Sequence, residues 1–248
     1  MQSELLKLSS VSLAYHTVEG ETLAIKDLDL TVQEGEFLAI VGPSGCGKTS
    51  LLSLIMGILE PTAGTIRFAS EGVRLGYMLQ RDHLLDHRTV ERNVLLGLEV
   101  QHRLNAETKA RALALLDTYG LGAFKSFKPH QLSGGMRQKV ALIRTLAIEP
   151  GLLLLDEPFS ALDYQTRLNL SDEVYRIIRK EHKTAILVTH DIAEAVSMAD
   201  RAAVFTARPA TLRRLIPIGF PASMPPLLRR RQPEFHVCFD RIWEELHI

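Results

Sequence analysis

Residues 42–49 read Gly42-Pro43-Ser44-Gly45-Cys46-Gly47-Lys48-Thr49; they follow the apolar run Phe37-Leu38-Ala39-Ile40-Val41 and precede Leu51-Leu52-Ser53-Leu54-Ile55-Met56. A buried strand, a glycine loop and a helix thus come in the order that the phosphate-binding motif G-x-x-x-x-G-K-[ST] requires. Glycines at 42, 45 and 47 permit backbone conformations that a Cβ forbids. Successive N–H groups can then turn onto an anion, and the helix N-terminus adds its partial positive charge. In such a loop Lys48 reaches the β- and γ-phosphates and the Thr49 hydroxyl takes a Mg²⁺ site. The stretch therefore predicts a Mg-nucleotide site on an α/β sheet. Cys46 lies where a helix N-terminus lowers thiol pKa, which makes it a candidate reactive thiol, although a small loop residue is the plainer reading.

Downstream, Gly151-Leu152-Leu153-Leu154-Leu155-Asp156-Glu157-Pro158 reads as a buried strand ending in two acids. Asp156 would bind Mg²⁺ through its water shell, and Glu157 would orient or deprotonate an attacking water. Two further strands, 73–79 and 184–189, deliver Gln80 and His190 to their carboxyl ends, where ligands sit in parallel α/β sheets. Gln80 could touch the metal or the water, and His190 the γ-phosphate or the water. Between them, 89 to about 120 changes to helical spacing, with Asn105 as a cap and Gly120 as a stop. Ser133 then caps a helix whose first turn holds Gly134 and Gly135. Two helical glycines cost roughly 1 kcal/mol each relative to alanine, which suggests bare N–H groups facing a second anion.

The first 32 residues alternate as antiparallel strands, with an irregularity at Ser9-Ser10. Tyr15 lies there, where an exposed ring could stack on a nucleobase or a buried one could join the core. At 248 residues, one α/β domain is expected. Its 29 basic and 29 acidic residues balance, which argues against a strongly electropositive nucleic-acid binder. Cys46 and Cys238 form no metal-ligand or disulfide framework. Met1-Gln2-Ser3-Glu4 does not resemble a secretory signal, and the apolar stretch 51–59 is too short to span a bilayer. Arg229-Arg230-Arg231 reads as a solvated or subunit-facing surface, with binding to anionic lipid as the alternative. A short amphipathic end follows over 235–246.

With the loop at 42–49, Gln80, Leu132-Ser133-Gly134-Gly135, Asp156-Glu157, Ser160-Ala161-Leu162-Asp163 and His190 in order, the chain resembles an ATP-binding-cassette (ABC) ATPase over nearly its whole length. The resemblance implies a phosphate-loop NTPase (RecA-like) core sheet with an antiparallel β-subdomain and an inserted α-helical subdomain. It implies an ATPase domain over 1–208, a helical insertion at about 85–145 and a short C-terminal extension over 209–248. It also implies ATP and Mg²⁺ as cofactors and a head-to-tail dimer. ATP would lie between 42–49, with Ser50, of one subunit and the Ser133-Gly134-Gly135 segment and Asp163 of the other. Tyr15 becomes the adenine-stacking residue, Glu157, His190 and Gln80 the catalytic set, and Thr49, Gln80 and Asp156 the metal set.

The stretches 77–85, 156–163 and 189–195 and the tail around Pro233-Glu234-Phe235 and Ile242-Trp243-Glu244 are similar to bacterial importers of the nitrate, sulfonate and taurine type. His87 departs from those relatives, which commonly carry Trp there. The resemblance thus implies transmembrane permease subunits, indirectly a solute-binding protein, and a peripheral place on the cytoplasmic face of the plasma membrane. An exporter subunit and a non-transport ABC ATPase are the alternatives.

Overall fold

The computed structural model describes residues 3–17 and 20–247. Met1 and Gln2, at the head of the stretch judged non-secretory, lie outside the described residues. The chain divides into two compact units, 1–73 with 175–248, and 74–174.

In the first unit, β1 (Glu4–Thr17) and β2 (Gly20–Gln33) pair antiparallel, and β4 (Ala63–Phe68) joins the other edge of β1. Alternation buries Leu6, Leu8, Val11 and Leu13. The expected irregularity is a register shift between Leu8 and Val11, with Ser10 in the left-handed region. Gly64 packs against that kink: a Cβ there would lie 2.3 Å from Ser10 O.

A mixed sheet forms the rest of this unit. β3 (Phe37–Val41) lies between β7 (Thr184–Thr189) and β8 (Arg201–Phe205), parallel to both, and β9 (Leu212–Pro217) pairs antiparallel with β8. β3 and β7 are buried at every position, as expected of parallel strands covered on both faces. α1 (Lys48–Ile55) follows the loop after β3, and Gly57, at positive φ, stops it. α6 (Ile192–Met198) starts from an Asp191 cap whose carboxylate accepts from Ala193 N and Glu194 N.

The tail is built into this unit through β9, α7 (Pro226–Arg229) and α8 (Pro233–His247), which buries Phe235, Cys238 and Ile242. Here the expectation of a solvated or subunit-facing arginine run is corrected for Arg229, which is 0% exposed, while Arg230 is half-buried and Arg231 is exposed as expected. Its guanidinium donates to the carbonyls of Met224, Ala199 and Pro221 and to the Tyr175 hydroxyl, and it stacks on Tyr175 and Phe220. A planar fork of donors surrounded by oxygens and aromatic faces can leave water where an isolated charge cannot.

In the second unit, β5 (Leu75–Met78) and β6 (Leu152–Asp156) pair in parallel. α4 (Gly134–Ala147) packs against β5, and α2 (Val90–Val100) and α3 (Ala106–Thr118) pack on α4. Asn105 forms a capping box with Thr108, and Gly120 terminates α3 at positive φ, as the spacing predicts. α5 (Tyr164–Lys180) runs from this unit into the first. The fold is that of an α/β phosphate-loop NTPase with an antiparallel β-subdomain.

Candidate nucleotide site

The loop at 42–49 leaves β3 and closes on α1, whose N-cap, Gly47, has φ 126° and no side-chain cap. A side chain at 47 would be strained there and would also bring its Cβ 3.0 Å from Ala24 O. The first N–H groups of α1 therefore face the loop without a competing carboxylate or hydroxyl cap. Lys48 is buried, and its Nζ donates to Gly42 O at 2.7 Å and to Pro43 O at 2.9 Å. Those bonds hold the ammonium across the loop. Cys46 is 1% exposed and burial pushes its thiol pKa up, with Lys48 opposing, so the small-residue reading stands.

Tyr15 is brought to the start of α1, where its hydroxyl donates to Ser50 Oγ at 2.9 Å. Its ring is 38% exposed, and an aromatic face beside a phosphate loop is a platform for a flat heterocycle. His190 is exposed at the end of β7. Its neighbours are fixed: Thr189 Oγ1 donates to the Glu194 carboxylate at 2.8 Å and accepts from Asp191 N at 3.0 Å.

In the second unit, Asp156 ends β6 buried and accepts from the Tyr77 hydroxyl at 3.2 Å. Burial and the Asp156 charge push the Tyr77 pKa up, so the phenol stays a donor. Tyr77 was not singled out from the sequence. The pairing of Tyr77 with Leu154 is the signal, since Asp156 lies two residues on and therefore on the same face. Glu157 follows at φ 45°, a left-handed conformation rare for a residue with a Cβ, which turns the chain sharply after the strand.

β5 ends at Met78, earlier than expected, so Gln80 lies in the loop beyond it. Its amide nitrogen is placed 3.4 Å from Glu157 Oε2 and 3.2 Å from Ser160 Oγ, so its amide oxygen is the atom that can face a cation. Gln80 and Glu157, far apart in sequence, are thus brought together. Among the described residues, no three His, Cys, Asp or Glu side chains gather as a metal centre. The hydroxyl of Thr49, the amide oxygen of Gln80 and the carboxylate of Asp156 are hard oxygen donors of the kind Mg²⁺ takes alongside phosphate and water.

Ser133 caps α4 by accepting from Met136 N at 3.3 Å. The two glycines that follow also have a packing reason: a Cβ at Gly134 would meet Leu162 Cδ2 at 3.3 Å, and one at Gly135 would meet Thr166 Cγ2 at 3.1 Å. Asp163 accepts from Thr166 N at 3.0 Å, and the Thr166 hydrogen bonds hold its carboxyl below the usual range.

The family described as ABC transporter matches residues 25–160. YtlC of Bacillus subtilis, an uncharacterized ABC transporter ATP-binding protein, is 44% identical over 98% of this chain and 95% of its own. The aliphatic sulfonates import ATP-binding protein SsuB of Bacillus licheniformis is 40% identical, over 91% of this chain and 88% of its own. The nitrate import ATP-binding protein NrtD of a Synechocystis strain is 36% identical, over 96% and 93% respectively. Among solved structures, a dimeric ATP-binding cassette in a post-hydrolysis state with ADP and Pi matches with a TM-score of 0.73 at 30% identity, covering 87% of this chain and 100% of that one. The chain belongs to the ABC transporter family and is an ATP-binding ATPase subunit of that kind.

Proposed function

We propose that this chain energises uptake of a small solute, a nitrate-, sulfonate- or taurine-like anion or a related compound, through separate membrane subunits. The observation that carries this reading is that SsuB and NrtD, both named as import ATP-binding proteins, align over nine-tenths or more of the chain. Two copies act head to tail. In each, 42–49 with Ser50 holds the phosphates of ATP, Lys48 neutralises the β- and γ-phosphates, and Tyr15 stacks on adenine. Ser133, Gly134, Gly135 and Asp163 of the opposite copy complete the site.

Thr49, Gln80 and Asp156 would hold Mg²⁺, which would offset phosphate charge. Glu157 orients the attacking water and takes its proton, and His190 hydrogen-bonds the γ-phosphate. The catalytic region covers 1–208 with a helical insertion at about 85–145, and 209–248 extends it. No helix among the described residues is long and apolar enough to cross a membrane. Likeness to the import ATP-binding proteins supports a peripheral position on the cytoplasmic face, against permease subunits that a solute-binding protein supplies.

Glu157→Gln tests the chemistry. The amide keeps the shape but cannot take a proton, so ATP binding is retained while turnover falls by about a hundredfold or more, and an ATP-bound dimer accumulates. Normal turnover in that variant defeats the role given to Glu157.

A further inference from the structure

Gln80 is suspended on a short bridge. On one side β5 ends at Met78, paired in parallel with Leu155, the residue before Asp156. On the other side Asp82 and His83 form a turn gripped by two arginines of α4. Arg137 Nε donates to Asp82 Oδ2 at 3.0 Å. Arg144 donates from one terminal nitrogen to His83 O and from the other to Asp82 O, each at 2.7 Å. Only Leu79, Gln80 and Arg81 lie between the two anchors.

The shape of the turn explains why an arginine does this. His83 has φ 44°, the left-handed region, and helical backbone of either hand points successive carbonyls to one side, where extended backbone alternates them. Two neighbouring carbonyls on one side suit the planar guanidinium fork, which a point-like ammonium cannot match. Asp82 braces the same turn, its Oδ1 accepting from Leu84 N at 3.1 Å. Arg137 and Arg144 stand seven residues apart on α4, two helical turns, and so share one face. Burial lowers the Arg144 pKa, with Asp82 opposing, as expected of a guanidinium that has exchanged water for these carbonyls.

We propose that Arg144, supported by Arg137, is a positioning residue that holds the turn after Gln80 so that Gln80 reaches Glu157 and Ser160. The inference rests on the roles proposed above for Gln80 and Glu157, and Arg144 acts through Gln80 alone. Steady-state ATP hydrolysis and nucleotide affinity of the full chain, compared among wild type, Gln80→Ala, Arg144→Ala and the double variant, test it. Arg144→Ala is expected to lower kcat about 10- to 100-fold, the scale of a small misplacement, with nucleotide affinity within about twofold of wild type.

In the double variant kcat is expected to equal that of Gln80→Ala, because a residue acting only through Gln80 has nothing further to lose. Arg144→Lys, which keeps the charge and loses the fork, is expected to fall in between, and it carries the same comparison should Arg144→Ala not fold. Losses that multiply in the double variant, or a folded Arg144→Ala with wild-type kcat, overturn the proposal. Normal turnover by Glu157→Gln defeats the underlying hydrolysis reading, whereas multiplying losses beside an inactive Glu157→Gln defeat this proposal alone.

Discussion

Cys46 shows how a single residue's environment decides between two chemistries. A thiol just before the N-cap of a helix, beside a lysine, has two influences that favour the thiolate. Desolvation opposes both and wins, since the side chain is almost wholly buried and its pKa is raised. The thiolate is therefore scarce near neutral pH, and its population grows only as pH rises toward that raised value. Native protein treated with iodoacetamide at pH 8 is expected to stay unlabelled at Cys46 and to label fully once denatured, with peptide mapping as the readout. Rapid native labelling at Cys46 would show a low-pKa, accessible thiol instead. The same opposition of forces, seen from sequence, hid Arg229: a run of three arginines reads as surface because burying a charge is costly. The oxygens that surround its guanidinium come from residues near 199, 221 and 224 and from Tyr175, a set no local pattern reveals.

At the scale of elements, strong periodicity made the sequence readable and weak periodicity did not. β3, β6 and β7 are continuous apolar runs, and α3 begins at the Asn105 cap, so each was legible. β9 was not, because Leu212-Arg213-Arg214-Leu215-Ile216-Pro217 lacks alternation and exists as a strand through its pairing with β8. The two glycines of α4 were legible as a departure from helix propensity, but only half of the reason was. Leu162 and Thr166 leave little room for a Cβ there, whatever anion those N–H groups meet. Arg229 fixes the tail elements to α5 and to the end of α6. Losing its bonds and leaving their carbonyl partners buried costs about 3 kcal/mol. Arg229→Ala is therefore expected to lower the melting temperature by about 6–12 °C. An unchanged melting temperature would show that the tail is held by its apolar contacts alone.

For the whole molecule, the order of motifs along the chain carried the family, and the relatives and solved cassettes agree with it. Spatial relations between distant residues were less legible. That Gln80 meets Glu157 and Ser160 follows from where β5 and β6 end, and that Tyr77 meets Asp156 follows from their register. The central claim concerns two copies: the phosphate loop of one subunit needs the Ser133 segment of the other. Ligand-linked association makes the active species depend on protein concentration. The most direct measurement is ATP hydrolysis per subunit across a dilution series, with sedimentation reporting the oligomeric state in the same Mg-ATP buffer. Activity per subunit is expected to rise with concentration while the dimer forms and then to level off. Constant activity per subunit across a range in which the protein sediments as a monomer would contradict the account.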